Sequence, residues 1–565
     1  MGRSTLPLII MMFVTSVLAT APTPCAADPR PVPVDQGSDW TRDKRDKFYA
    51  LDQGSRIMPL SWIRALTLPD GSPFMKDSLR RYGFLPNDDP DMLPVGFTAA
   101  GEPRNAFIGL TCAACHTRQI EYSGTAYRID GGPAMIDFQR FVSDLDIAVG
   151  RVLNDSRTFA HFANAVLGVA PTSADKGGLR QELDEWYYRY HILMSNALPK
   201  KRPWGAGRLD AIAMIFNRLA GLDLGPAPDL GPAPRHVIKE NIKRAEAPAR
   251  YPFLWNASLQ HKTQWTGFVE GNETEPIQLL RNIGQVIGVF ADFIPRKDAH
   301  SPGGINYWIT NSAQVENLKA LEKLTMSMGP PRWPWALDNV LADRGEDIFN
   351  HECSKGCHEI HNLRGDENLS DTPITPIWDT PIISIKELGT DFAELQLMQR
   401  SAFSGVLEGA TVLGWPKLTR NDMALRILRY AVIGSLLTQQ QHVPINPPFN
   451  NEVLRRAFVL PPDAGYEARV LQGVWAAAPY LHNGSVPTLA ELLKPPDKRT
   501  ASFKVGPAYD PAAVGLAVEQ PHVRVTLKTT DCSDRGSGNS RCGHEYGTTL
   551  PDAKKRALLE YLKRL

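Results

Sequence analysis

Two cysteine–histidine arrays carry the chemistry of this sequence. The stretch LTCAACHTRQI holds Cys112, Cys115 and His116 in a C-x-x-C-H array. That spacing is the one used for covalent c-type haem attachment. Two thioether bonds fix the macrocycle, and the histidine that follows lies beneath the iron as proximal ligand. A second array, in HECSKGCHEI, places Cys353, Cys357 and His358 as C-x-x-x-C-H, one residue longer. A local bulge can absorb the extra residue, with Gly356 supplying the backbone freedom. Each array has a competing chemistry. The first pair is open to zinc or a redox dithiol, but no second ligand pair lies near Cys112, and a dithiol leaves His116 without a role. The second is open to a Cys353–Cys357 disulfide with His358 incidental. His351 and His361 flank it and read as surface or propionate-contacting groups.

A sixth iron ligand separates an electron-transfer haem from a reactive one. Two histidines are candidates. His544, in CGHEYGTTL, follows Cys532 and Cys542, which lie in a Gly/Ser-rich loop and are expected to pair in an oxidising compartment. A staple there would stabilise the fold by roughly 3 kcal/mol and hold the loop of His544 in place. His544 is therefore the candidate second ligand for the haem of His358. His482, in APYLHNGSVPTL, reads more readily as a hydrogen-bonding core residue near a haem.

The elements that must position these groups read as mainly helical. Helical segments are expected at Asp43–Tyr49, Ala134–Leu153, Leu179–Met194, Ala211–Leu219 and Glu275–Phe293. A Pro/Gly-rich insert, LDLGPAPDLGPAPRH, reads as a surface loop. Four prolines in MGPPRWPWALD mark a domain boundary. Beyond it Leu337, Val340, Leu341, Ile348 and Phe349 share one helix face that leads into the second array. The chain ends in an amphipathic helix bearing Ala557, Leu558, Tyr561 and Leu562. The expected architecture is thus two cytochrome c-like haem domains, 28–330 and 331–565, with long ordered loops and few short strands. The 46 prolines and 44 glycines in 565 residues fit such loops.

Residues 1–27 have the form of a secretory signal: Arg3, an apolar run from Leu6 to Leu18, and small residues at Ala19-Thr20-Ala21 or Cys25-Ala26-Ala27, the second being favoured. Cleavage after Ala21 would leave Cys25 as an odd thiol. Loss of Arg3 with the leader leaves 61 basic groups against 61 acidic ones. That balance argues against nucleic acid or an anionic membrane as the main partner. No later stretch is apolar enough for a transmembrane anchor, so the mature chain is expected to be periplasmic or secreted.

With these residues in hand, the sequence resembles a known family. GVWAAAPYLHNGSVPTLAELL (Gly473–Leu493) is similar to a stretch of the di-haem cytochrome c peroxidase superfamily. QGSRIMPLSWIRAL, RYGFLP, GLTCAACHTRQIEYSGTAYRIDGGPAMIDFQRF and GHEYGTTLPDAKKRALLEYLKRL resemble its rubber oxygenase and di-haem fatty-acid dioxygenase branch. These pieces reach from near the mature N-terminus to the last residue. The resemblance implies two covalently attached c-type haems with divided labour. The haem on Cys112, Cys115 and His116 would bind O2 and do the chemistry. The haem on Cys353, Cys357 and His358 would be six-coordinate, with His544 at the family position of its second ligand. It also implies a tryptophan between the haems, for which Trp265 is the first candidate and Trp255 the second. The helix Ile277–Phe293 would be the distal wall over the first haem, although its apolar spacing is equally that of ordinary core. The longer second array departs from the family pattern.

Three functions are consistent with this reading. The leading one is an oxygenase that oxidises or cleaves a carbon–carbon double bond in a hydrophobic small molecule or polymer. The second is a peroxidase that reduces H2O2 with electrons relayed through the second haem from a small donor protein. Its acid–base group would come from Glu270, Gln285 or His261. The third is an electron-transfer cytochrome, against which the large non-haem mass counts.

Overall fold

The computed structural model describes residues 30–102, 105–168, 170–225, 237–271, 274–359, 378–440 and 451–565. The leader, Cys25, His361 and most of the Pro/Gly-rich insert lie outside them. Helix makes up 41% of the structure and strand 15%, so the fold is mainly α. The strands differ from expectation in number: among the described residues, twenty short ones form sheets of two or three. Most are two or three residues long, too short for an alternating pattern to register in the sequence. They pin the loops to one another.

The longest ladder pairs Thr117–Tyr122 with Thr125–Asp130. Ser123 and Gly124 both adopt positive φ, the backbone of a two-residue hairpin turn whose twist matches that of its strands. This hairpin starts directly after His116. On the other side of the first array, Phe107–Leu110 pairs with both Phe97–Ala100 and Met58–Pro59. The C-x-x-C-H segment is therefore held between two three-stranded sheets.

Helix ends follow local capping. Phe138–Asn154 begins four residues later than expected because Asp137 accepts a hydrogen bond from the Arg140 amide. Ser173–Ala197 begins earlier than expected because Thr172 and Asp175 form a reciprocal capping box. Glu275–Gly288 stops short of Phe293. There Phe290 takes a left-handed φ of 70°, and Ala291 and Phe293 bridge to Ser55 and Asn311.

Asn339–Phe349 and the terminal helix Asp552–Arg564 pack tightly against each other. Their crossing requires Gly345: a Cβ there would meet the Ala557 carbonyl and lie 2.8 Å from Tyr561 Cβ. Phe349 packs against Tyr561, with ring centroids 5.2 Å apart, and Arg564 pairs with Asp343 and Glu346. The cores join distant segments. One contains Ile277, Leu280 and Ile283 together with Leu428 and Val432, and another joins Ile120, Phe253 and Trp255 to Val470, Trp475 and Leu558. Residues on both sides of position 330 thus build both cores. Among the described residues no helix is long and apolar enough to cross a membrane.

Candidate haem centres

The second array has the more complete surroundings. Asn339–Phe349 runs on into a wider π-type turn, Asn350–Ser354, and Gly356 takes a positive φ of 76°. The wide turn and the glycine accommodate the extra residue between Cys353 and Cys357. The two cysteines are unpaired and both line a cavity of about 290 Å³. His358 Nδ1 lies 2.8 Å from the Arg469 carbonyl oxygen. A carbonyl can only accept, so Nδ1 carries the hydrogen and the Nε2 lone pair is left for a metal. Burial lowers the His358 pKa, which keeps that lone pair free of protons.

His544 faces His358 across the cavity, with ring centroids 6.3 Å apart. Its loop is fixed at several points. The Cys532–Cys542 disulfide forms as expected, with the Cα atoms 5.1 Å apart. Gly543 and His544 both take positive φ, and the His544 amide donates to the Leu388 carbonyl at 2.8 Å. Arg499 donates to the carbonyls of Gly543 at 2.7 Å and His544 at 3.0 Å. Burial, aided by His358 and Arg499, pushes the His544 pKa down to about 3. Its Nδ1 is buried with no hydrogen-bond partner.

These residues fit a haem iron between two imidazoles. Two ring nitrogens each about 2 Å from a shared ion would set the ring centres roughly 6 Å apart, as found. Among the described residues no group of three or more His, Cys, Asp and Glu side chains could share a metal ion, which disfavours zinc at either array.

The first array has a different environment. Thr111 caps the short helix Cys112–Cys115 by accepting from the Ala113 amide. His116 Nδ1 lies 2.8 Å from the Pro252 carbonyl, so Nε2 is again the free nitrogen. Burial pushes the His116 pKa down to about 4. It pushes the Cys112 and Cys115 thiols up to about 12, opposite to the lowered thiol pKa of a redox dithiol. Cys112 packs against the core that includes Ile277, Leu280 and Ile283, and its thiol lies 3.4 Å from Gln53 Oε1. Arg281 is ion-paired to Glu322, which also accepts from Asn282 at 2.6 Å. The aromatic ring beside His116 is that of Tyr251, at 6.3 Å. Among the described residues no second histidine faces it.

Both candidate tryptophans are buried. Trp265 is buried, lines the second cavity and donates from Nε1 to the Arg250 carbonyl at 3.1 Å. Trp255 is fully buried, stacks on Phe253 at 4.7 Å and donates to the Gln472 carbonyl. His482 stacks on Tyr466 at 3.9 Å in the cavity wall, and burial pushes its pKa down to about 3. His261 and Glu270 approach to 3.5 Å on a short hairpin of Lys262–Thr263 and Val269–Glu270. Sequence reasoning missed Arg469. Its carbonyl holds His358, and its guanidinium donates to the Phe253 carbonyl at 3.3 Å. Pro252, the neighbour of Phe253, holds His116. The two histidines are thus joined through three residues, Pro252, Phe253 and Arg469. No local pattern marks an arginine that bonds to a residue 216 positions away.

Comparison with known proteins agrees with this geometry. Residues 465–504 match a family described as RoxA-like, cytochrome c-like. The matched stretch supplies one wall of the second cavity, including Tyr466, Arg469 and His482. The class of protein that fold, cavity and match support is a haem-dependent oxidoreductase with a cytochrome c-type haem. Across most of its length the chain is similar to an uncharacterized protein of Sinorhizobium fredii, y4iJ. The two are 29% identical over 93% of this chain and 92% of that protein. A second uncharacterized S. fredii protein, y4iM, is 27% identical over 55% of this chain and 63% of its own.

Proposed function

We propose that the chain is an exported di-haem c-type oxidoreductase. The first haem, on Cys112, Cys115 and His116, is the reactive one. There O2 is used to oxidise or cleave a carbon–carbon double bond of a hydrophobic substrate. The second haem, on Cys353, Cys357, His358 and His544, exchanges electrons with the first and with a small donor protein in the periplasm or outside the cell. The observation that carries this reading is the asymmetry of the two histidines: a second imidazole faces His358 at 6.3 Å and none among the described residues faces His116.

Iron at the first centre supplies the redox chemistry towards O2 or H2O2. The chain's own residues set its conditions. The Pro252 carbonyl fixes the orientation of the His116 ring and, by accepting from Nδ1–H, makes Nε2 a stronger donor. The apolar face of Glu275–Gly288, with Ile277, Leu280 and Ile283 buried, excludes water and matches an alkene. The Glu322 carboxylate pairs with the Arg281 charge close to Cys112, so the apolar surface is not left beside an uncompensated cation.

A second reading, peroxide reduction, rests on the His261–Glu270 pair, the acid–base couple closest in sequence to that helix. Incubation of the holoprotein with O2 and oleate or polyisoprene, and separately with H2O2 and a reduced cytochrome, tests both. Oxygenated or cleaved alkene products are expected. Peroxide turnover without them would replace the first reading by the second. Two low-spin haems that ignore both carbon monoxide and cyanide would leave electron transfer alone.

A further inference from the structure

The wall of the second cavity holds buried cations with unused hydrogen-bond donors. Arg250 and Arg469 both line it, at 7% and 5% exposure. Arg250 donates from Nε to the Leu481 carbonyl at 3.1 Å, and its Nη1 is buried with no partner. Arg469 donates from Nη2 to the Phe253 carbonyl, and its Nε is likewise buried without a partner. The carboxylate nearest Arg469 is Glu467, at 3.9 Å from Nη1. One oxygen of Glu467 is already occupied by Thr380 at 2.6 Å and Gln260 at 2.7 Å. A third buried guanidinium, Arg118, bears on Arg250 and has Nε and Nη2 unpartnered. Among the described residues neither Arg118 nor Arg250 has a carboxylate within ion-pair distance. Both charges against Trp265 come from this group: Arg250 Cζ is 4.7 Å and Arg469 Cζ 5.5 Å from its ring centroid.

Two buried guanidiniums thus keep unused N–H groups in the cavity wall, and the buried carboxylate beside them, Glu467, is already engaged. Burying a guanidinium without a counter-charge is costly, and a fold keeps such groups when a bound anion completes them. The orphaned N–H groups of Arg250 and Arg469 point to a planar, two-oxygen acceptor, for which a guanidinium fork is suited.

We infer that Arg250 and Arg469 bind the propionate carboxylates of the haem held by Cys353, Cys357 and His358. The inference rests on that haem being present in the cavity. Arg469 then has two connections to it, by its side chain to a propionate and by its carbonyl to His358. Trp265, with both cations against its ring, would be stabilised as a neutral ring rather than serving as a site of positive charge.

The test uses the holoprotein and its Arg250→Gln, Arg469→Gln and Arg250→Lys variants. Pyridine-haemochrome stoichiometry and mass of the Cys353–Cys357 peptide come first; failure there overturns the di-haem reading and this inference with it, whereas the measurements that follow, made with the haem attached, bear on the arginines alone. With the haem attached, resonance Raman propionate bending bands of the wild type should shift between H2O and D2O, and each glutamine variant should displace them. Each glutamine variant should also make the second haem about tenfold harder to reduce, which is 59 mV for one electron. Arg250→Lys should restore most of that. Bands and potential unchanged in the glutamine variants would overturn the inference. If those variants do not fold, wild-type bands that ignore D2O would overturn it equally. A fatty-acid carboxylate would satisfy the same donors, so bands that move when oleate is added would reassign the pair to a substrate.

Discussion

At the residue scale the candidate ligands are neutral because they are buried. Burial lowers the pKa of His358 and takes that of His544 down to about 3, since desolvation opposes their protonation. His544→Ala should convert the second haem from a low-spin form to one that binds carbon monoxide. His482→Ala should leave the low-spin spectrum in place, because His482 stacks on Tyr466 rather than facing His358. Absorption spectra of the reduced proteins, with and without carbon monoxide, distinguish the two. A second buried group gives a pH signature. Burial, with Asp210 and Asp391 nearby, raises the Glu394 pKa from 4.5 to about 8, and its Oε2 has no partner. The folded state holds this carboxyl neutral while the unfolded chain ionises it. Its contribution to stability is therefore complete below pH 4.5 and is lost as pH rises towards 8. Glu394→Gln cannot ionise, so its melting temperature relative to wild type should rise steadily between about pH 5 and pH 8. A constant difference would show that Glu394 does not titrate in this way. The two cysteine–histidine arrays were legible in the sequence because their members are adjacent in the chain. Arg250, Arg469 and Glu394 were not, because their partners are brought near only by the tertiary fold.

At the scale of elements, periodicity located the expected helices but not Ser156–Leu167, Val315–Met326 or Ala424–Gln440, and capping set the ends of those it located. The helix before the second array and the terminal helix were readable from apolar spacing, although Val340, expected on the shared apolar face, is 66% exposed, and the buried positions are Ala342, Gly345 and Phe349. The glycine at their crossing was not, since its need comes from the other helix. Gly345→Ala puts two effects in opposition. Alanine gains about 1 kcal/mol of helix propensity, but its Cβ meets the Ala557 carbonyl, which is backbone and cannot rotate away. Overpacking of this kind costs about 1–3 kcal/mol, so the clash should win. Chemical denaturation should show a net loss, and an unchanged or raised midpoint would mean that the helices separate freely. The disulfide near His544 was legible from its spacing and loop composition. Replacing both Cys532 and Cys542 with serine should cost about 3 kcal/mol. The low-spin spectrum should nevertheless persist, because Leu388 and Arg499 still hold the backbone of His544. Loss of that spectrum in the folded variant would make the disulfide, not these bonds, the element that places the ligand.

At the scale of the whole molecule the two centres share one frame. His116 bonds to Pro252, Phe253 accepts from Arg469, and Arg469 accepts from His358, so ring orientation at one centre is set by groups that also hold the other. No sequence pattern foretold this frame: its members come from separated stretches, and the cores that carry them mix residues from both sides of position 330. The arrangement has a thermodynamic consequence. With both haems bound as proposed, a change of charge at the second iron would alter the hydrogen bond from His358 to Arg469 and, through Phe253, the position of the carbonyl that holds His116. Reduction of the second haem should therefore change the carbon monoxide affinity of the first by a definite factor. Carbon monoxide must then change the reduction equilibrium of the second by the same factor, because binding free energies are reciprocal. Coupling of this type typically amounts to about 5–150-fold. A redox titration of the second haem with and without carbon monoxide reads the factor in one direction, and ligand titrations at two poised potentials read it in the other. Arg469→Lys retains a cation but loses the planar fork, so it should bring the factor towards one while haem content stays at two per chain. A factor already at one in the wild type would mean that the shared frame holds the two centres in place without linking their chemistry.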